Sequence, residues 1–161
     1  MSDFEQRLQK AIERGQQRGE RKAEEARRQQ LNEEELKRLH SQHRLALSEH
    51  IEQATKLLPN HFPGFRLETI FGEKGWGAAV SRDDLRITNG RRDNDYSRLE
   101  LTIRPPNSYH VVDLAGKATI RNKEVFNRNH FEKIENVDPD TFKHLIDVWV
   151  LEFAELYSAA Q

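Results

Sequence analysis

The chain has 161 residues, of which 26 are Lys or Arg, 27 are Asp or Glu and none is Cys. This length fits one modest domain with an appendage, the balanced charge argues against a generally basic nucleic-acid binder, and the lack of thiols excludes a disulfide framework or a cysteine nucleophile. No stretch approaches the roughly 18 uninterrupted apolar residues of a membrane span, so we expect a soluble, cytoplasmic protein.

The first 31 residues predict a charged arm. Ser2 and Glu5 have the spacing of a capping box at a helix start. Three large apolar residues follow on one helical face: Phe4, Leu8 and Ile12. Residues 14–30 are polar and contain two glycines, so they bury too little surface to offset the entropy of ordering. We expect a short amphipathic helix at 2–13 on a tether that is transiently helical or disordered.

A longer helix is predicted over residues 32–58. Asn32 is a suitable N-cap, and Pro59 follows as a stop signal. His40 and His43 lie three residues apart on its apolar face, where imidazoles could ligate a metal. No HExxH pattern or carboxylate on this face completes a ligand set, so no metal site is predicted, and these two histidines are the residues that one would use.

From Phe65 onward the apolar residues follow the period of a strand. Residues 98–104 alternate between apolar and charged side chains, which is typical of a strand with one covered face. Other extended segments are predicted at 65–71, 76–80, 109–114 and 117–125. Residues 89–97 are interpreted as a polar loop, whose Arg91 and Arg92 could contact an anion. The region 65–125 therefore predicts an antiparallel meander of four or five strands.

The last predicted helix covers residues 139–158. Asp138 is a good N-cap, and Pro139 occupies the favoured first helical position. One face of this helix is broad and apolar and should cover the sheet. Val148 and Leu151 lie on the opposite face and, with Leu45 of the preceding helix, form the predicted subunit contact of a homodimer.

These elements predict an α+β fold: an antiparallel four- to five-stranded meander covered on one face by two helices. The domain would span residues 32–161, and the charged N-terminal arm would occupy residues 1–31.

The sequence favours a non-catalytic protein that binds another protein through the arm. Phe4, Leu8 and Ile12 are spaced like the anchors of a helix that docks in a groove. An alternative is binding of RNA or single-stranded nucleic acid through the charged sheet face, with Arg98 and Arg104 alongside the two loop arginines. A third possibility is an enzyme or ligand-binding domain without a recognisable motif. We assign no catalytic residue and no cofactor.

Overall fold

The structure is a computed structural model that describes residues 2–160. Its elements, in chain order, are α1 (Asp3–Thr55), α2 (Leu58–His61), β1 (Arg66–Ile70), β2 (Trp76–Thr88), β3 (Arg91–Ile103), β4 (Val111–Ile120), β5 (Lys123–Lys133) and α3 (Pro139–Ala159). The chain divides into two compact units, of which the first ends at Arg38 and the second begins at Leu39. Both are described separately below.

The second unit is built on one five-stranded sheet. All neighbouring strands are antiparallel, and their order in the sheet is their order in the chain, β1-β2-β3-β4-β5. Within this unit α3 and the part of α1 after Arg38 cover one face of the sheet. The α+β class predicted from the sequence is therefore confirmed.

The core lies between that sheet face and the two helices. Its fully buried large apolar side chains come from α1, β2, β3, β4 and α3: Leu47, Ile51, Val80, Leu99, Leu101, Ile103, Val112, Leu114, Phe142, Ile146 and Phe153. Polar contacts also hold α1 against its neighbours. Thr69 donates a hydrogen bond to Glu52 at 2.6 Å, and His50 Nε2 lies 2.8 Å from Asp147 of α3. These hydrogen bonds join α1 to β1 and to α3, which are distant from it in the chain.

A glycine in β4 sets the position of α3 on the sheet. A Cβ atom built at Gly116 would lie only 2.6 Å from Cε3 of Trp149, so the indole packs directly over the strand backbone. Arg128 of β5 donates hydrogen bonds to both carboxylate oxygens of Glu152, at 2.9 and 3.2 Å. Its guanidinium also lies over the rings of Phe126 and Trp149. The indole of Trp149 is therefore covered on one side by Arg128, which Glu152 holds in place.

The N-terminal helix differs from the sequence prediction. Residues 14–30 are helical, α1 has no break before Asn32, and Ser2 Oγ caps its first turn by accepting from the Glu5 N–H at 3.2 Å. The ion pair between Glu24 and Arg28, one turn apart, and the good helix propensity of the Arg, Lys, Glu, Gln and Ala residues here favour the helix despite its two glycines. The predicted stop at Pro59 is also wrong, because α1 ends at Thr55 and this proline lies in the first turn of α2.

The predicted polar loop at 89–97 is a turn and a strand. Asn89 and Gly90 both have positive φ, 54° and 77°, which is the geometry of a two-residue hairpin turn. Thr88 pairs with Arg91, and the ladder continues to the pair of Trp76 and Ile103. Because the polar residues of β3 contact solvent on both faces here, they lack the apolar alternation that identifies a strand.

The predicted fifth strand at 117–125 is also misplaced. Arg121 and Asn122 have φ values of 47° and 71° and form another tight turn, so residues up to Ile120 belong to β4. β5 begins at Lys123 and extends to Lys133, beyond the predicted sheet. This turn contains no glycine, the residue that usually indicates positive φ in a sequence. It forms without one because asparagine adopts positive φ more readily than most residues.

Candidate functional site

The arm residues predicted to bind a partner share one exposed face of α1. Phe4, Leu8 and Ile12 follow one another at intervals of one helical turn, and their exposed fractions are 68%, 49% and 53%. Large apolar side chains that stay in contact with water on one side of a helix are typical of docking surfaces. We call this set the arm face.

A line of basic side chains runs beside the arm face. At 100° per residue, five basic residues fall within about one quarter of the helix circumference, next to the apolar stripe. They are Arg7, Lys10, Arg14, Arg18 and Arg21. Glu5, Glu13 and Glu20 fall on the other flank of the arm face. The helix therefore presents an apolar stripe bordered by one basic and one more acidic side.

The predicted subunit-contact residues lie on two helices. Val148 and Leu151 are exposed on the outer side of α3, next to Glu155. Leu45 is exposed on α1, on the side away from the buried Leu47.

Arg98 and Arg104 are close to acidic neighbours on the open face of the sheet. Arg98 contacts Glu68 at 3.3 Å and Glu100 at 3.4 Å, and the Arg104 guanidinium lies 3.7 Å from Asp113. A shallow groove of about 450 Å³ runs past Arg104 and has both basic and acidic lining residues: Glu73, Lys74, Glu100, Arg104, Lys117 and Asn127. This face has mixed charge, and carboxylates already partner its central arginines.

Arg91 and Arg92 are placed elsewhere. Both follow the turn at the tip of the β2–β3 hairpin, where their side chains are exposed. Arg92 is six strand positions from Arg98, which corresponds to about 20 Å at the usual rise of a strand. The four candidate arginines thus form two separate groups.

An apolar groove on the same sheet face was not found from the sequence. It measures about 570 Å³ and contains Tyr109, Val111 and Phe131, with Asn129 and Asp113 at its side. Tyr109 and Phe131 are 80% and 61% exposed. The sequence signal for this groove is the alternation of Asn127, Asn129 and Phe131 in β5, which lies beyond the predicted end of the sheet at Val125.

The two candidate metal histidines lie at the buried face of α1. His40 is 1% exposed, and its Nε2 has no hydrogen-bond partner in the described part of the chain. Burial lowers the pKa of His40, opposed by a hydrogen bond with the Arg104 backbone, and it also lowers the pKa of His43. Within residues 2–160, no three His, Asp or Glu side chains gather to hold a metal ion.

No protein-family model matches this chain, and comparisons with curated proteins and with solved structures gave no significant match. None of the helices in residues 2–160 has an apolar stretch long enough to cross a membrane. Function is therefore inferred from the surfaces described above.

Proposed function

We propose that this chain is a non-catalytic adaptor that binds another protein through the arm face. The observation that carries the proposal is the exposure of Phe4, Leu8 and Ile12 on one face of a formed helix. Complete burial of a large exposed apolar side chain contributes about 1.5–3 kcal/mol, so the three partly exposed anchors supply one part of the binding free energy and the charges beside them supply another. The proposal retains the homodimeric, cytoplasmic protein expected from the sequence.

The charges beside the arm face define the chemistry of the partner. The basic line begins at Arg7 and continues to Arg21, and it borders only one side of the apolar stripe. A partner with an apolar groove and an acidic rim on one side would match both features, and the charge asymmetry would fix the direction in which the helix lies.

The sheet face supports nucleic-acid binding less well. A phosphate would have to displace Glu68 or Glu100 from Arg98, and Asp113 from Arg104. Acidic side chains on the same strands would also repel the nucleic-acid backbone. For this reason the aromatic groove at Tyr109 and Phe131 is not assigned to base stacking.

A pair of matched triple variants tests the adaptor proposal. Replacing Phe4, Leu8 and Ile12 with alanine removes the apolar anchors and keeps good helix formers. We expect this variant, immobilised as the full-length chain, to lose the proteins that the wild type captures. The control replaces Gln6, Gln9 and Gln17 with alanine on the other side of the helix, and it should capture the same proteins as the wild type.

A charge variant tests the acidic rim of the partner, and vesicles of anionic lipid test the alternative of a lipid surface. Lys10→Glu together with Arg14→Glu should weaken capture and reduce its dependence on salt, because the acidic rim loses its complement. The proposal would be contradicted if the triple alanine variant of the arm face captured the same proteins as the control variant. So would tight binding of the wild type to vesicles rich in anionic lipid without capture of any protein.

A further inference from the structure

The β2–β3 hairpin extends beyond its neighbouring strands. β1 pairs with β2 only as far as Ser81, and β4 pairs with β3 only as far as Arg98. Residues 82–97 therefore form a two-stranded ribbon with a β-strand edge on each side. Such edges expose N–H and C=O groups that can pair with another strand.

The β3 edge of the ribbon is occupied by Asn122. Its side-chain oxygen accepts from the Tyr96 N–H at 3.0 Å, its backbone N–H donates to the Tyr96 carbonyl at 2.8 Å, and its side-chain nitrogen donates to the Asn94 carbonyl at 2.8 Å. These three hydrogen bonds use the groups that an incoming strand would need. Further pairing at this edge is therefore blocked near Tyr96.

The β2 edge is free. The two-residue turn closes with the pair of Thr88 and Arg91, and hydrogen-bonded and open positions alternate from there, so Asp83, Leu85 and Ile87 direct their N–H and C=O groups outward. Ser81 follows the same alternation and pairs with β1. Within residues 2–160, no backbone group bonds to this edge between Asp83 and Thr88.

We propose that this free edge pairs with the same edge of a second copy of the chain. The strands would run antiparallel about a two-fold axis at Leu85, so that each Leu85 faces the other. In this register Asp84 lies opposite Arg86 of the second copy. By symmetry, Arg86 lies opposite Asp84 of the second copy on the other side of the axis. Each hydrogen-bonded position is one whose backbone groups already point outward.

The charge pattern selects this register. An axis at Asp83 or Asp84 would place two aspartates opposite each other, and an axis at Arg86 would do the same with two arginines. Like charges directly opposite are destabilising in a sheet. An axis at Ile87 would leave Leu85 opposite the turn, because β2 ends at Thr88. The edge is thus self-complementary in one arrangement, which gives the contact its specificity.

The two faces of the joined ribbons would differ in chemistry. On one face the two Leu85 side chains would meet at the axis, and each Ile87 would lie beside them and opposite Asp83 of the second copy; Leu85 and Ile87 are both exposed in the single chain. On the other face Asp84 already pairs with Arg82 at 2.6 Å, and Arg86 lies 3.8 Å from Asp95. Pairing would link these ion pairs into longer rows of alternating charge. The short edge implies a small interface and a weak dimer.

The oligomeric state of two lysine variants tests the contact. Leu85→Lys removes the apolar pair at the axis and places like charges opposite each other, so we expect sedimentation equilibrium to show a dimer dissociation constant raised about tenfold or more. The matched control is Leu57→Lys, which alters a leucine of similar exposure between α1 and α2. It should leave the dissociation constant unchanged. A dimer lost in the control and kept in Leu85→Lys would overturn the proposal.

Single cysteines report the register in the intact chain, which has no native cysteine. Opposed hydrogen-bonded residues have Cα atoms about 5.5 Å apart, within disulfide range, so Leu85→Cys should cross-link to a covalent dimer under mild oxidation. Ile87→Cys should not cross-link, because the two introduced cysteines would lie four strand positions apart along the paired edges, a distance of about 14 Å. Equal cross-linking of the two variants would overturn the register.

These readouts do not depend on the arm. A wild type that stays monomeric at high concentration, with Leu85→Cys uncross-linked, would overturn the self-pairing, even if the arm variants behave as proposed above. Loss of captured protein in Leu85→Lys together with a monomeric wild type would instead assign the edge to a strand of a different protein.

Discussion

At the residue scale, the contact between Gly116 and the indole of Trp149 leaves no room for a larger side chain at this position of β4. We predict that Gly116→Ala lowers the free energy of unfolding by about 1–3 kcal/mol, because the new methyl group would overlap Trp149 and force the indole or the strand to move. Urea denaturation followed by the fluorescence of the tryptophans measures this change.

A double-variant cycle shows whether the loss comes from the indole. In a Trp149→Leu background the smaller side chain leaves room for the methyl group, so Gly116→Ala should cost clearly less than it does in the wild type. An unchanged cost would mean that the strand backbone, rather than the contact with Trp149, requires glycine.

His40 is expected to make the stability depend on pH. Because burial lowers its pKa, the folded chain holds fewer protons than the unfolded chain at pH values between the folded pKa and the ordinary value of about 6.5. The stabilising contribution of the neutral imidazole is complete above this ordinary value. It is lost as the pH falls through 6.5 toward the folded pKa. His43 adds to the same trend, since burial lowers its pKa too.

We predict that His40→Leu flattens the pH dependence of stability between about pH 7.5 and 5, the range above the titration of ordinary carboxylates. Chemical denaturation at a series of pH values gives the slope for each variant. The matched control is His61→Leu, which removes an exposed histidine and should keep the slope of the wild type. Parallel curves for the wild type and His40→Leu would show that another group is responsible.

At the scale of the element, the polar part of the continuous helix α1 contains two glycines, Gly15 and Gly19. A Cβ atom at Gly15 or Gly19 would meet nothing within 4 Å, and each Gly→Ala change in a helix interior contributes about 1 kcal/mol. We predict that the double alanine variant slows amide hydrogen exchange around these positions by roughly tenfold or more. Global unfolding should stay unchanged, and faster exchange would contradict a formed helix here.

Elements with strong local signals could be predicted from the sequence. The capped start of α3 at Asp138 and Pro139 and the alternation from Arg98 to Arg104 both correspond to observed elements. Residues 89–97 were misinterpreted because a ribbon exposed on both faces has no apolar period. The continuity of α1 was missed because its support comes from weak charge pairs, each contributing a few tenths of a kcal/mol.

The candidate surfaces also divide into one that can be predicted from a local sequence pattern and one that cannot. The arm face follows from the spacing of Phe4, Leu8 and Ile12 alone, because a helix repeats every turn. The free edge at Leu85 could not be predicted, since it depends on where β1 stops pairing and on the hydrogen bonds of Asn122 on the other side. Those facts are properties of the assembled sheet and leave no local pattern in the sequence.

At the scale of the molecule, residues 2–30 contribute exposed side chains and none to the core. We predict that deleting them shifts the thermal midpoint of the remaining chain by no more than a few degrees, because no apolar core is lost. Differential scanning calorimetry of both chains makes the comparison. A large drop in the midpoint would show that these residues stabilise the domain, and the arm would then be structural.

The order of elements along the chain also governs how the fold can be reached. Each strand pairs with the strand before or after it, so the sheet can form from local hairpins with little loop-closure entropy. By contrast, the hydrogen bond between His50 and Asp147 joins residues 97 positions apart. During synthesis the apolar side of α1 around Leu47 and Ile51 leaves the ribosome before any strand that covers it. This stretch of helix, more than any strand, is therefore the segment that a chaperone would need to shield until α3 is complete.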